Sequence, residues 1–134
     1  MSDAIALAGA RARAGIWRFK TLARAERTFG NISAPEQAAI YRIIQEQLNN
    51  ILKYADASSV TIRIAPKANK IFLTISDNGK GFDTRVQRNG IGITNINSRA
   101  ELYNGKVEID SSPGNGCRLK VEFQTPGVVS PKAA

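Results

Sequence analysis

The alternating run Lys70-Ile-Phe-Leu-Thr-Ile-Ser76 leads directly into Asp77-Asn-Gly-Lys-Gly81, and this junction limits the fold more than any other stretch of the chain. Alternation of apolar and polar residues marks a strand with one buried face. The junction therefore puts a carboxylate at a strand end, where the backbone must turn tightly. Gly79 and Gly81 have no Cβ, so the backbone there can take φ > 0 and admit another group at close range. Asp-x-Gly-x-Gly also closes ordinary β-turns, and these five residues alone do not choose between a turn and a binding loop.

The same alternation recurs in Val60-Thr-Ile-Arg-Ile64, with Pro66-Lys-Ala-Asn69 as the connecting turn. Val60, Ile62 and Ile64 then share an apolar face with Ile71, Leu73 and Ile75. Two further strands are expected at Val107–Asp110 and Cys117–Phe123, joined by Ser111-Ser-Pro-Gly-Asn-Gly116. A helix start is written in Ser33-Ala-Pro-Glu36: a capping serine, a proline in the first turn and a glutamate three residues after the serine. That helix is expected to run to about Tyr54 and to end in the turn Asp56-Ala-Ser-Ser59. Residues 79–92 read as a glycine-rich loop. A short helix from Ile93 to Tyr103 is stopped by Asn104-Gly105. Paired strands with helices separated along the sequence predict an α/β sandwich, its helices on one face of the sheet.

The length of 134 residues suits one domain. Three regions are expected: a basic Ala/Arg-rich leader over 1–30, helical over 4–28; a folded domain over 31–125; and a disordered tail over 126–134. The leader holds Arg11, Arg13, Arg18, Lys20, Arg24 and Arg27 against Asp3 and Glu26, so it carries about half of the net charge of +8. Such a balance favours anionic partners. Few residues in the leader could stack on bases, Trp17 and Phe19 among them, and no nucleic-acid-binding motif follows, so nucleic acid is not expected as the partner. No apolar run is long enough to span a bilayer. The single Cys117 rules out an internal disulfide framework and fits a reducing compartment. The absence of histidine rules out histidine ligands, a histidine base and a phosphorylated histidine within the chain.

On the helix that begins at Ser33, a turn of 100° per residue puts Ile44, Leu48, Ile51 and Ala55 on one side. Glu46, Asn50 and Lys53 fall on the other, at i, i+4 and i+7. An ordinary amphipathic helix with a solvated polar face is the commoner explanation of this geometry. An acid, an amide and a cation in one row would also suit a Mg²⁺-bound polyphosphate, since oxygen ligands hold the hard metal and the ammonium meets phosphate. Gly90-Ile-Gly92 precedes a helix, where backbone N–H groups can bind phosphate, although Gly-x-Gly recurs in many loops.

Four segments in order resemble the motifs of the sensor histidine kinases over roughly residues 33–124. Gln45-Glu-Gln-Leu-Asn-Asn-Ile-Leu-Lys-Tyr-Ala-Asp-Ala-Ser58 resembles their N box. Asp77-Asn-Gly-Lys-Gly-Phe-Asp83 and Gly90-Ile-Gly-Ile-Thr-Asn-Ile-Asn-Ser-Arg-Ala-Glu-Leu-Tyr-Asn-Gly105 resemble their two glycine boxes. Ser111-Ser-Pro-Gly-Asn-Gly-Cys117 is similar to the segment before their last strand. The short loop between the glycine boxes and the pattern Asn95-x-x-x-Arg99-Ala100 most resemble the subfamily containing nitrate- and membrane-fluidity-responsive kinases.

This resemblance implies a Bergerat fold, a two-layer α/β sandwich whose mixed sheet is covered by helices on one face. It implies ATP and Mg²⁺ as cofactors and a bacterial cytoplasmic setting. Asp77 would accept a hydrogen bond from the adenine amine, and Gly79 and Gly81 would let the backbone close over the base. Asn50 would hold Mg²⁺, Glu46 would sit near the metal or its water, and Lys53 and Tyr54 would flank the phosphates or ribose. Gly90 and Gly92 would hinge a lid over the phosphates. Cys117 stands where the family has threonine, a stronger hydrogen-bonding group than a thiol. The implied activity is γ-phosphoryl transfer to a histidine on a separate dimerisation domain, with a response regulator downstream. The chain is thus expected to be the catalytic half alone, and monomeric. The alternatives are a serine kinase of the anti-sigma-factor type and a nucleotide-binding module without transfer activity.

Overall fold

A computed structural model of the chain describes residues 18–21, 33–67, 70–85 and 93–124. The elements run β1 (Arg18–Thr21), α1 (Ala34–Asn50), a π-helical turn (Ile51–Ala55), β2 (Ser59–Lys67), β3 (Lys70–Asp77), α2 (Ile93–Glu101), β4 (Lys106–Ser111) and β5 (Cys117–Gln124). The five strands form one sheet in the order β1-β2-β3-β5-β4. β1 runs parallel to β2 and the other neighbours are antiparallel, so the sheet is mixed, as expected.

The alternation assigns the two faces. Across β2, β3 and β5 the rows Ile62–Ile75–Leu119 and Ile64–Leu73–Val121 point to one side and are fully buried. Ile40, Ile43, Ile44 and Leu48 of α1 and Ile96 and Ala100 of α2 complete that core, giving two layers. Each large side chain taken from water there contributes about 1.5–3 kcal/mol. Arg63, Arg118 and Lys120 occupy the opposite face and are exposed. The core row nearest one sheet end is Val60–Asp77–Cys117–Ser111. The inward stripe thus ends in polar atoms, with Asp77 the carboxylate among them. Among the described residues, no helix is long and apolar enough to cross a membrane.

Three expectations are corrected. Arg18–Thr21, expected within a helix over 4–28, is a strand: β1 satisfies the backbone groups along the β2 edge that β3 does not pair. Ala/Arg content favours a helix, yet the pairing of a sheet edge outweighs so weak a preference. Pro66 lies inside β2 opposite Ile71, and pairing continues to Lys67–Lys70, so the turn is tighter than the segment 66–69. The first helix does not keep its α period to Tyr54 but changes to π geometry after Asn50.

The start of α1 is half of the expected capping box. Ser33 Oγ accepts from the Glu36 N–H at 3.4 Å. The Glu36 carboxyl is 1% exposed, and its Oε2 has no hydrogen-bond partner. Burial raises its pKa. With the folded pKa above the unfolded one, the protonated group's stability is fully present at low pH and is lost as pH rises through the folded pKa. Glu36→Gln is therefore expected to raise stability at pH 7 by about 1 kcal/mol. The gain should shrink as pH falls and vanish below the ordinary glutamate pKa. Urea unfolding across pH 4–8 checks this (roughly the span over which a buried carboxyl titrates). A gain independent of pH would assign the effect to packing instead.

Candidate functional site

The site is built where the ends of β3 and β5 meet the C-terminal end of α1. Asp77, last in β3, divides its two oxygens. Oδ1 accepts from the Gly79 N–H at 2.7 Å. Oδ2 is buried and has no partner. Burial raises the Asp77 pKa, and the Gly79 hydrogen bond offsets part of that rise. A buried acceptor without a donor is costly to keep, and such atoms call for an explanation. A ligand N–H would supply one.

The loop after Asp77 is held on two sides. On one, Asn78 Oδ1 accepts from the N–H groups of Ser58 and Ser59, each at 2.9 Å. Its Nδ2 donates to Ser58 Oγ at 2.9 Å. Lys80 N–H donates to the Ala55 carbonyl at 2.8 Å, and a Cβ on Gly79 would run into that same carbonyl. On the other side, Gly114 N–H donates to the Lys80 carbonyl at 2.6 Å. Phe82 N–H donates to Ser111 Oγ at 3.0 Å, and Ser111 Oγ donates to the Gly116 carbonyl at 2.7 Å. Gly81 takes φ +62° with its open side against the Ser112 and Gly116 carbonyls. The two glycine segments are thus interlocked, so neither is an independent turn.

The π-helical turn carries Lys53 and Tyr54. Its hydrogen bonds run i to i+5, which shifts the angular position of the residues after Asn50 relative to an α-helix, and such turns recur at functional sites. Lys53 is exposed and Tyr54 is 46% exposed. The turn ends at Asp56, in the left-handed region at φ +51°. Glu46 is half-buried, whereas Asn50 is only 8% exposed. Asn50 therefore does not sit on an open polar face with Glu46 and Lys53. It is tucked beneath the helix end, and its Nδ2 donates to Gln47 Oε1 at 3.3 Å. Gln47 in turn donates from Nε2 to Cys117 Sγ at 3.9 Å.

Cys117 lies directly across from Asp77 in the β3–β5 register. Burial, with the Asp77 charge adding to it, pushes its thiol up to about 11. At neutral pH it is a protonated thiol beside the carboxylate, not a nucleophilic thiolate.

The structure brings Asp77, Gly79, Gly81, Cys117 and Asn50 into one connected region. Glu46, Lys53 and Tyr54 are on the helix that borders it. Gly90 and Gly92 lie outside the described residues. Sequence reasoning passed over Asn78, Ser111, Gly116 and Gln47. The signal for Gly116 was present, since it closes the Ser-Pro-Gly-Asn-Gly segment that was read as a connection.

These residues fit an adenine nucleotide. The unpartnered Asp77 Oδ2 is an acceptor that an exocyclic amine would satisfy. Glu46 and Asn50 offer oxygen atoms suited to a hard cation. Among the described residues, no group of three or more acidic, cysteine or histidine side chains could hold a metal ion unaided. A Mg²⁺ ion here would complete its coordination with phosphate oxygens and water.

Residues 36–127 match the family described as histidine kinase-, DNA gyrase B-, and HSP90-like ATPase. The chain is 38% identical over 88 residues to the oxygen sensor histidine kinase NreB of Staphylococcus carnosus, which covers 64% of this chain and 25% of that protein. It is 33% identical over 92 residues to a sensor-like histidine kinase of Chloroflexus aurantiacus, which covers 63% of this chain and 15% of that protein. The chain thus spans a quarter or less of the length of these relatives. Among solved structures, the blue-light activated histidine kinase of Erythrobacter litoralis EL346 aligns with a TM-score of 0.72 at 16% identity, over 91% of this chain and 39% of that one. At that identity the likeness shows a shared fold.

Proposed function

The chain belongs to the histidine kinase-, DNA gyrase B- and HSP90-like ATPase family, and from that premise we propose that it binds ATP with Mg²⁺ and directs the γ-phosphoryl group to a histidine outside this chain. The buried, unpartnered Oδ2 of Asp77 carries the reading. It is an acceptor at the floor of a loop whose glycines let it pack closely against Ala55 on one side and Ser112 and Gly116 on the other.

Asp77 reads the base by accepting from its exocyclic amine. Gly79 and Gly81 would let the backbone close over the base. When bound, the nucleotide would supply the phosphoryl group, and its cation would neutralise part of the phosphate charge. Asn50 offers a carbonyl oxygen to that cation, and Glu46 orients water or the attacking group beside it. Lys53 and Tyr54 border the phosphates or ribose. Gly90 and Gly92 are assigned to a lid whose N–H groups meet the phosphates. Positioning and fixed charge supply most of the catalysis in such a transfer.

The acceptor histidine lies outside this sequence, which contains none, and the resemblance to sensor histidine kinases assigns it to a dimerisation domain. A response regulator would receive the phosphoryl group next, in a bacterial cytoplasm. The pattern Asn95-x-x-x-Arg99-Ala100 supports placement beside the nitrate- and membrane-fluidity-responsive kinases.

The test is transfer of labelled phosphate from ATP to an added histidine-bearing helical domain. Acid-labile labelling of that domain is expected. Asn50→Ala is expected to reduce the transfer at least about tenfold through loss of a cation ligand. Labelling of serine instead would support the anti-sigma-factor type of kinase. Nucleotide binding without transfer to any acceptor would leave a binding module.

A further inference from the structure

We infer that Gln47 is a positioning residue that fixes the polarity of the Asn50 side-chain amide, so that its carbonyl oxygen is the end left for the cation. The inference rests on the assignment of Asn50 to the cation given above. Gln47 lies one helical turn before Asn50, and the two side chains are 4% and 8% exposed. Both are therefore amides with little water to satisfy them. An amide has a donor end and an acceptor end, which are not interchangeable opposite a cation. Asn50 gives its donor end to Gln47 Oε1 at 3.3 Å. That contact leaves the oxygen available and keeps the N–H₂ group away from positive charge.

Gln47 has a second contact of its own. Its own donor end goes to Cys117 Sγ at 3.9 Å, across from α1 to the start of β5. A reversed Gln47 would set its N–H₂ against the Asn50 N–H₂ and would exchange the N–H···S contact to Cys117 for an S–H···O one, so the Asn50 contact is what the reversal breaks. Restoring the pair would then require Asn50 to reverse as well, presenting nitrogen to the cation. Cys117 faces Asp77 in the register of β3 and β5. Gln47 consequently ties the end of the site that reads the base to the end that holds the cation.

Two variants of the full chain separate orientation from packing. Gln47→Met keeps the volume and removes the acceptor, and Gln47→Glu keeps an acceptor for Asn50. The readout is the gain in affinity for a non-hydrolysable ATP analogue on adding Mg²⁺, measured by calorimetry. The methionine variant is expected to lose about tenfold of that gain, as outer partners of metal ligands do. Its Mg²⁺-free affinity should stay within about twofold of the parent, since the base contacts remain. The glutamate variant should retain the gain. In an Asn50→Ala background, Gln47→Met should change nothing further. In the nucleotide-free parent, the Asn50 side-chain NH₂ resonances should show hydrogen-bond protection from exchange.

An unchanged Mg²⁺ gain in the methionine variant overturns the inference, and so does an equal loss in both variants. Unprotected Asn50 NH₂ protons overturn it without any variant. If Asn50→Ala itself leaves the Mg²⁺ gain intact, the cation role of Asn50 fails and the inference falls with it. If Asn50→Ala abolishes the gain while Gln47→Met does not, only the role of Gln47 is lost.

Discussion

Asp77→Asn is expected to weaken ATP-analogue binding roughly 10- to 100-fold, the range of a hydrogen bond to a charged group, without unfolding the chain. The two oxygens of Asp77 make the reason specific. Oδ1 is committed to the Gly79 N–H, and an asparagine oxygen can keep that bond. The amide nitrogen then replaces Oδ2, the atom left without a partner. A donor would face the donor amine of the base. The same substitution removes a carboxylate whose pKa burial has raised, so the ligand-free variant should be as stable as the parent or more so at neutral pH. Stability and affinity would move in opposite directions. Lowering the pH protonates Asp77 from above the ordinary aspartate range, so the parent's advantage over the variant should shrink as pH falls. Calorimetric titration at two pH values, with denaturant unfolding of both proteins, measures each part. Equal affinities in two folded proteins would remove Asp77 from base recognition.

Gly116→Ala is expected to cost about 2–4 kcal/mol of stability, from a left-handed backbone and a collision together. Gly116 takes φ +68°, and a Cβ there would run into the Asp77 carbonyl. Gly114 provides the control. It takes φ +84°, but no atom lies within 4 Å of its added Cβ. Gly114→Ala should therefore show only the backbone part, about 1 kcal/mol. Urea unfolding of the two variants separates the contributions. Equal losses would mean that the approach to Asp77 is not the constraint. Nucleotide affinity should also fall in the Gly116 variant, because the displaced carbonyl belongs to the residue proposed to read the base.

The sheet was legible because each buried strand carries its own period. Ile62, Ile64, Leu73, Ile75, Leu119 and Val121 alternate, and every one is buried on the same face. The α1 start was legible because Ser33 and Pro35 act locally. β1 was not, since its pairing depends on an unfilled edge some forty positions away in sequence. The change to π geometry at Ile51 was equally hidden, because a run of Ile, Leu, Lys, Tyr and Ala reads as a continued α-helix. That hidden change, together with packing beneath the helix end, is why Asn50 could be named from the motif while its burial could not. Gln47 lies within the motif-like segment, but nothing local in the sequence gives it a role. Its importance lies in a contact to Cys117, 70 residues away. Glu36 was read as a capping side chain, and only the packing around it shows a carboxyl withdrawn from water.

The parallel pairing of β1 with β2 bears on where this protein can be cut. The family match begins at residue 36, and a fragment started there would lack the strand that borders β2. β2 is nine residues long, and Val60, Ile62 and Ile64 are buried along it. Stripped of β1, its Ser59–Ile62 stretch would present an open row of N–H and C=O groups on which a second molecule can dock strand to strand. A fragment begun at residue 36 is therefore expected to associate with itself more readily than the chain that keeps Arg18–Thr21.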